Sequence, residues 1–66
     1  MIFKTGHLEQ PSEADPEFRQ YGQAKDHARR GSWDDAVWAI WAVDLDTGKR
    51  QLLATVYQQQ VFEISD

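Results

Sequence analysis

The stretch that decides the fold runs from residue 37 to residue 57 and reads VWAIWAVDLDTGKRQLLATVY. Two runs rich in branched and aromatic residues flank the tetrapeptide at residues 46–49, DTGK. A turn of this composition between two such runs is typical of a β-hairpin whose glycine adopts the left-handed conformation. We therefore predict strands over residues 36–45 and 49–57. Residues 32–40 also fit the apolar spacing of a helix, but we favour the strand.

The turn also predicts which residues share a face of the hairpin. If residues 46–48 form the loop, Asp44 lies opposite Arg50, and opposite charges at such a pair support the register. We predict a last strand over residues 61–64, after a three-residue turn at residues 58–60. A two-residue turn is less favoured because neither glutamine prefers a positive φ. One face is then wholly apolar and holds Trp38, Ile40, Ala42, Leu52, Ala54, Val56, Phe62 and Ile64.

A helix is predicted over residues 16–30. Asp15 is a suitable N-cap, and Pro16 is tolerated at the first helical position, where its missing N–H is not needed. Gly31 is expected to end the helix in the left-handed conformation. The apolar stripe of this helix ends in small residues, so the helix should lie close to the apolar sheet face; it consists of Phe18, Tyr21, Ala24 and Ala28.

Together with a short strand over residues 1–5, these elements predict a single α+β domain spanning residues 1–66. The element order is β-α-β-β-β, with one helix packed on one face of an antiparallel sheet, and the position of the first strand in that sheet stays open. A chain of 66 residues buries only about 60% of the surface that its unfolded form exposes, and such small domains are often stabilised by disulfides, a metal or oligomerisation. The chain has no cysteine and two histidines, which excludes disulfides and disfavours a metal site. Oligomerisation or a partner is therefore the remaining source of added stability.

The second face of the sheet has no element left to cover it. An exposed cluster of aromatic and branched side chains usually marks an interaction surface. We therefore expect a non-enzymatic module that binds a protein partner or a second copy of itself. Two alternatives stay open: the aromatic residues stiffen the sheet, or the N-terminal segment folds across them. The candidate partner-binding residues are Val37, Trp41, Val43, Leu53 and Tyr57.

Charge is unevenly distributed along the chain, whose formal net charge is −4. Residues 9–17 carry four acidic side chains and no basic one, whereas residues 19–30 carry four basic side chains and one acidic one. An acidic balance argues against nucleic-acid binding, although the basic end of the helix could contact phosphate as an alternative function. A role in balancing the helix dipole explains the same residues and is favoured. The basic residues are Arg19, Lys25, Arg29 and Arg30.

No motif indicates catalysis, a cofactor, a small-molecule ligand or a metal site. His7 and His27 lie in a predicted loop and on the predicted helix surface, without a converging set of partners. The longest apolar run, residues 36–43, is far shorter than the roughly 20 residues that cross a bilayer. The N-terminal eleven residues contain no apolar segment of a secretory signal. We therefore expect a cytoplasmic protein without a membrane segment.

The predicted element order, small size, acidic balance and lack of cysteine are similar to those of many small phage or mobile-element proteins, including some anti-CRISPR inhibitors. The resemblance covers the whole chain and implies an inhibitor that occupies a surface of a larger nucleoprotein machine. It rests on element order and size, and no residue motif carries a functional residue over.

Overall fold

The predicted hairpin lies at the centre of a five-stranded antiparallel sheet, and the α+β class is confirmed. The computed structural model describes residues 1–64. The strand order is β2-β1-β3-β4-β5, so the first strand, whose place the sequence left open, pairs with the first strand of the hairpin. The elements are β1 (Ile2–His7), β2 (Glu17–Phe18), α1 (Tyr21–Gly31), β3 (Trp38–Val43), β4 (Arg50–Tyr57) and β5 (Gln60–Glu63).

Helix α1 covers one side of the sheet, which we call the helix face. Ala24 and Ala28 are fully buried against it, so the two small side chains bring the helix close to the strands, as predicted. Ile40 and Val56 are also fully buried, and each contributes about 1.5–3 kcal/mol through burial of its apolar surface. Around this core pack Phe3, Phe18, Tyr21, Trp38 and Val61.

The helix begins at Tyr21, and the predicted start at residue 16 is wrong. Glu17 and Phe18 instead form strand β2, which pairs with Lys4 and Phe3 of β1. The carboxylate of Glu17 lies 3.7 Å from the ammonium of Lys4, whose side chain is only 9% exposed. Pairing a nearly buried cation offsets its loss of hydration, and this contact competes with the helical start.

The predicted N-cap and C-cap of the helix are also wrong. The carboxylate of Asp15 accepts the backbone N–H of Ser12 at 3.0 Å, outside the helix. Gly31 is the last helical residue, and the one glycine with a positive φ in residues 1–64 is Gly48. Gly31 serves close packing, because a Cβ there would lie 2.6 Å from Cη2 of Trp38.

The hairpin register follows the prediction from Trp38 to Ile40 and then shifts by one residue. Ile40 pairs with Ala54, but Trp41 pairs with Leu52, so Leu53 is the extra residue of a β-bulge. The predicted pairs of Trp41 with Leu53 and of Asp44 with Arg50 are therefore wrong. In the observed loop, Asp44 donates its N–H to the carbonyl of Lys49 at 3.0 Å, and Gly48 has a φ of 74°, left-handed as predicted.

The turn between β4 and β5 has two residues, and the predicted three-residue turn is wrong. Tyr57 pairs with Gln60, while Gln58 and Gln59 have φ values of 47° and 67°. Such values match the type I′ turn that suits two-residue hairpins, although glutamine rarely adopts it. Because a shift of one residue exchanges the faces of a strand, Val61 joins the helix face and Phe62 moves to the opposite face.

Candidate functional site

The side of the sheet opposite α1, which we call the open face, is partly covered. Trp41 is 7% exposed and Val43 is 8% exposed, so the prediction that both are accessible is wrong. Together with Ala39 they form a second buried cluster. Partly buried side chains complete this cluster, and they are Ile2, Leu8 and Leu52.

The cover is the segment of residues 8–16, which connects β1 to β2 and which we call the strap. Leu8 packs against the open-face cluster, and its N–H donates to the carbonyl of Val37 at 2.9 Å. The side chain of Asp15 lies directly over Gly6. A Cβ added at Gly6 would be 2.6 Å from a carboxylate oxygen of Asp15. Of the two alternatives left open by the sequence, the folding of the N-terminal segment across this face is therefore observed.

Two cations beneath the acidic strap bind it to the sheet. The ammonium of Lys4 donates to the carbonyl of Glu13 at 3.0 Å, and Arg50 reaches the carbonyl of Ser12 at 3.5 Å. The guanidinium carbon of Arg50 also lies 5.4 Å from the ring centroid of Trp41, within the range of a cation–π contact. The strap is acidic, which complements these two side chains, and it keeps water away from Trp41.

The strap leaves one part of the open face uncovered, on the side of β4 and β5. Phe62 is 52% exposed, Val37 is 37% exposed and Tyr57 is 36% exposed. Val37 precedes β3 and lies two positions from Ala39, while Phe62 pairs with Thr55 of β4. Alternation along the strands places these side chains on one surface. We call this surface the β5-side patch and define it as Val37, Thr55, Tyr57 and Phe62.

Of the five residues predicted to bind a partner, the structure brings Val37 and Tyr57 together on an accessible surface. Trp41 and Val43 lie in the buried cluster. Leu53 lines a shallow cleft with Phe3 and Tyr21, on the helix side of the sheet, because the bulge redirects it. Sequence reasoning missed Phe62, whose face depends on the length of the turn before it.

The four basic residues predicted as an alternative phosphate site do not form one patch. Arg19 lies in the connection between β2 and α1. Arg30 lies 3.0 Å from the carboxylate of Asp26, and Arg29 donates to the carbonyl of Gln59 at 3.3 Å. Lys25 is 4.0 Å from the carboxylate of Glu63. The three helical cations therefore have partners within the chain.

The two histidines pack on aromatic rings. The centroid of His7 lies 5.1 Å from that of Trp38, and the centroid of His27 lies 5.3 Å from that of Phe18. Within residues 1–64, no group of three or more histidine and carboxylate side chains is placed to hold a metal ion. In the same residues, no helix combines the length and the apolarity that a membrane-spanning helix needs.

Tyr21 ties the helix to the edge strand β5. Its hydroxyl donates to the carboxylate of Glu63 at 3.3 Å. Burial raises the pKa of the Tyr21 hydroxyl above its ordinary value of 10.0, and the negative charge of Glu63 and their hydrogen bond raise that pKa further. Glu63 is therefore held toward the helix face, between Tyr21 and Lys25.

Comparisons of the chain with protein-family models, with curated proteins and with solved structures found no match.

Proposed function

We propose that the protein is a small protein-binding module and that its contact surface is the β5-side patch. The observation that carries the proposal is the cluster of exposed apolar side chains formed by Val37, Tyr57 and Phe62. The chain covers the rest of the open face with its own strap and leaves this part uncovered. Contiguous exposed apolar groups on a small domain are typical of interaction surfaces.

The patch has the composition of a protein contact. Tyrosine is among the residues that contribute most to binding at protein interfaces, and phenylalanine is enriched at their cores. The hydroxyl of Tyr57 lies 3.5 Å from the carboxylate of Asp35, so a polar group borders the apolar centre. Such a module acts by occupying a surface of its partner, in accord with the non-enzymatic function expected from the sequence.

The alternative, contact with phosphate through the basic residues, has less support. Arg29, Arg30 and Lys25 are each engaged by an acceptor in the same chain. A phosphate would have to replace those partners, and the formal net charge of −4 opposes its approach.

Site-specific photocrosslinking tests the proposed function. A photoreactive phenylalanine analogue at position 57 places the probe on the patch. The matched control is the same analogue at position 45, because Leu45 is 66% exposed but belongs to the loop at the other end of the hairpin. We expect discrete protein adducts from position 57 in cells of the native host and few from position 45.

The variant Val37→Lys should reduce the adducts from position 57 while the protein stays folded, because Val37 is partly exposed. Equal labelling from positions 57 and 45, or labelling unchanged by this variant, would contradict the proposal.

A further inference from the structure

Strand β5 forms an open edge of the sheet. It is the last strand in the order, and within residues 1–64 no strand pairs with its outer side. The N–H of Ile64 donates inward to the carbonyl of Leu53 at 3.0 Å. Backbone polar groups of alternate residues point to the same side of an antiparallel strand, so Gln60 and Phe62 also point inward. The N–H and carbonyl groups of Val61 and Glu63 therefore point outward.

The two edges of the sheet differ in how they are protected against pairing. Strand β2 at one edge has two residues and follows Pro16, and both features discourage a further strand. Strand β5 has four residues and contains neither proline nor lysine. Its one charged side chain, Glu63, is engaged on the helix face by Tyr21 and Lys25. The edge at β5 is therefore the one that accepts another strand.

We propose that β5 pairs antiparallel with β5 of a second copy of the chain, with Phe62 opposite Phe62 of the other copy. The outward groups determine this register, because Val61 of each copy then faces Glu63 of the other and exchanges two backbone hydrogen bonds with it. Phe62 occupies the non-hydrogen-bonded position between these pairs, where side chains approach most closely. The product is a ten-stranded sheet with a two-fold axis between the two copies of β5.

Charge complementarity favours a second copy as the occupant. Lys25 and Arg29 lie one helical turn apart and border β5 on the helix face, near Glu63 and Gln59 respectively. In the proposed register, Glu63 of the second copy lies opposite Val61, between these two cations. Each copy thus adds the carboxylate of its Glu63 beside Lys25 and Arg29 of the other copy, next to the acceptors that these cations keep in their own chain.

The exposed apolar side chains favour the same arrangement. Phe62 of both copies meet on the open face, and an aromatic pair across two strands is stabilising. Ile64, which is 48% exposed and lines the helix-side cleft with Leu53 and Glu63, lies opposite Gln60 of the other copy in this register. A dimer would also add buried surface to a cysteine-free chain of 66 residues, and oligomerisation is a common source of stability for such small domains. This inference rests on the proposed function, since Phe62, which meets the second copy, belongs to the β5-side patch.

Sedimentation analysis of the full chain, from micromolar concentrations to about 1 mM, tests the inference. We expect a reversible monomer–dimer equilibrium. Val61→Pro removes an outward N–H that β4 does not use, and it should weaken dimerisation by at least about ten-fold because two of the four hydrogen bonds between the copies are lost. Val61→Ala is the matched control, since it removes the valine methyl groups but keeps the N–H, and it should still dimerise.

Amide hydrogen exchange of the unmodified chain gives a readout that does not depend on the folding of any variant. The amides of Val61 and Glu63 should become protected as the concentration rises, whereas the amide of Ile64 should be protected throughout. A chain that stays monomeric to about 1 mM, or a dimer that Val61→Pro leaves intact, would overturn the inference. The proposed function would survive either result if position 57 still crosslinks to a different protein in a Val37-dependent way.

Discussion

The hydroxyl of the buried Ser32 accepts the backbone N–H of Gln59 at 2.9 Å and so joins the end of helix α1 to the turn before β5. The same hydroxyl donates to the carbonyl of Arg29 at 3.2 Å, and Arg29 donates to the carbonyl of Gln59. These contacts hold two glutamines at positive φ, a conformation that costs a residue other than glycine about 1–3 kcal/mol. The register of β5, and with it the position of Phe62, depends on this connection.

Replacement Ser32→Ala should destabilise the protein by about 0.5–1.5 kcal/mol for each hydrogen bond lost, because it removes both the acceptor of the Gln59 N–H and the donor to the carbonyl of Arg29. Urea denaturation followed by circular dichroism measures the change. Ser12→Ala is the control, since the Ser12 hydroxyl also accepts a backbone N–H, that of Ala14 at 3.1 Å, but on the exposed strap. A loss for Ser32→Ala no larger than that for Ser12→Ala would mean that the connection does not hold the turn.

Two glycines of the same helix should respond to alanine with opposite signs. Gly22 faces open space, so Gly22→Ala should stabilise the protein by up to about 1 kcal/mol through its helix propensity. Gly31→Ala should destabilise it by about 1–3 kcal/mol, because the new Cβ would meet the ring of Trp38. Thermal unfolding of both variants measures the difference, and stabilisation by both would show that Gly31 is not needed for the contact with Trp38.

Replacement Gly6→Ala should displace the strap, because the new Cβ would lie 2.6 Å from the carboxylate of Asp15. We expect Trp41 to become accessible to acrylamide, which would appear as stronger quenching of tryptophan fluorescence. The double variant Gly6→Ala with Asp15→Ala relieves the contact and should recover part of the protection. If quenching in the single variant equals that of the unmodified protein, the strap does not depend on Gly6.

Alkaline pH should destabilise the fold through Tyr21. Its pKa is higher in the folded state than in the unfolded state, so the folded state binds the proton more tightly. The resulting stabilisation is fully present below the unfolded pKa of about 10 and is lost as the pH rises through the folded pKa. Urea midpoints from about pH 8 to about pH 11, on either side of the ordinary tyrosine pKa of about 10, measure this loss. Tyr21→Phe should show a shallower decline, and an identical decline would assign the effect to other groups.

Periodicity and turn composition were sufficient to predict the central hairpin and the part of the helix face formed by residues 38–40 and 54–56. The prediction is wrong for Leu52 and Phe62, which lie on the open face because of the bulge and the two-residue turn. Ile40 and Val56 lie in the core as expected, and Gly48 adopts the left-handed conformation that its turn requires. These features depend on residues close together in the chain. They follow from local preferences and from the burial of one apolar face.

The features that the sequence did not predict depend on contacts between distant residues. The two-residue turn needs Ser32 and Arg29 to hold Gln59, although glutamine alone disfavours it. The start of the helix was displaced by the pairing of Glu17 with Lys4. Lys4, which follows the apolar Ile2 and Phe3 in the first strand, was the available signal, because a buried cation requires an acceptor that some other segment must supply.

The burial of Trp41 likewise depends on the strap, whose contacts with Lys4 and Gly6 of β1 and with Arg50 of β4 involve two strands of the sheet. The charge distribution identified an acidic segment over residues 9–17, but it did not indicate that Lys4 and Arg50 would contact this segment. The candidate site was therefore predicted at Val37 and Tyr57, while its centre at Phe62 required the observed turn.

Strand β3 carries two tryptophans three residues apart, so their indoles lie in separate layers of the molecule. Trp38 packs against Gly31 of the helix, whereas Trp41 contacts Arg50 and lies beneath the strap. Trp33 is 77% exposed in the folded state, so the surroundings of its indole change least on unfolding. The protein thus contains its own fluorescent probes: in variants that keep one tryptophan each, emission from Trp38 would report separation of the helix from the sheet, and emission from Trp41 would report opening of the strap. The order of these two events during unfolding can be read without attaching a dye.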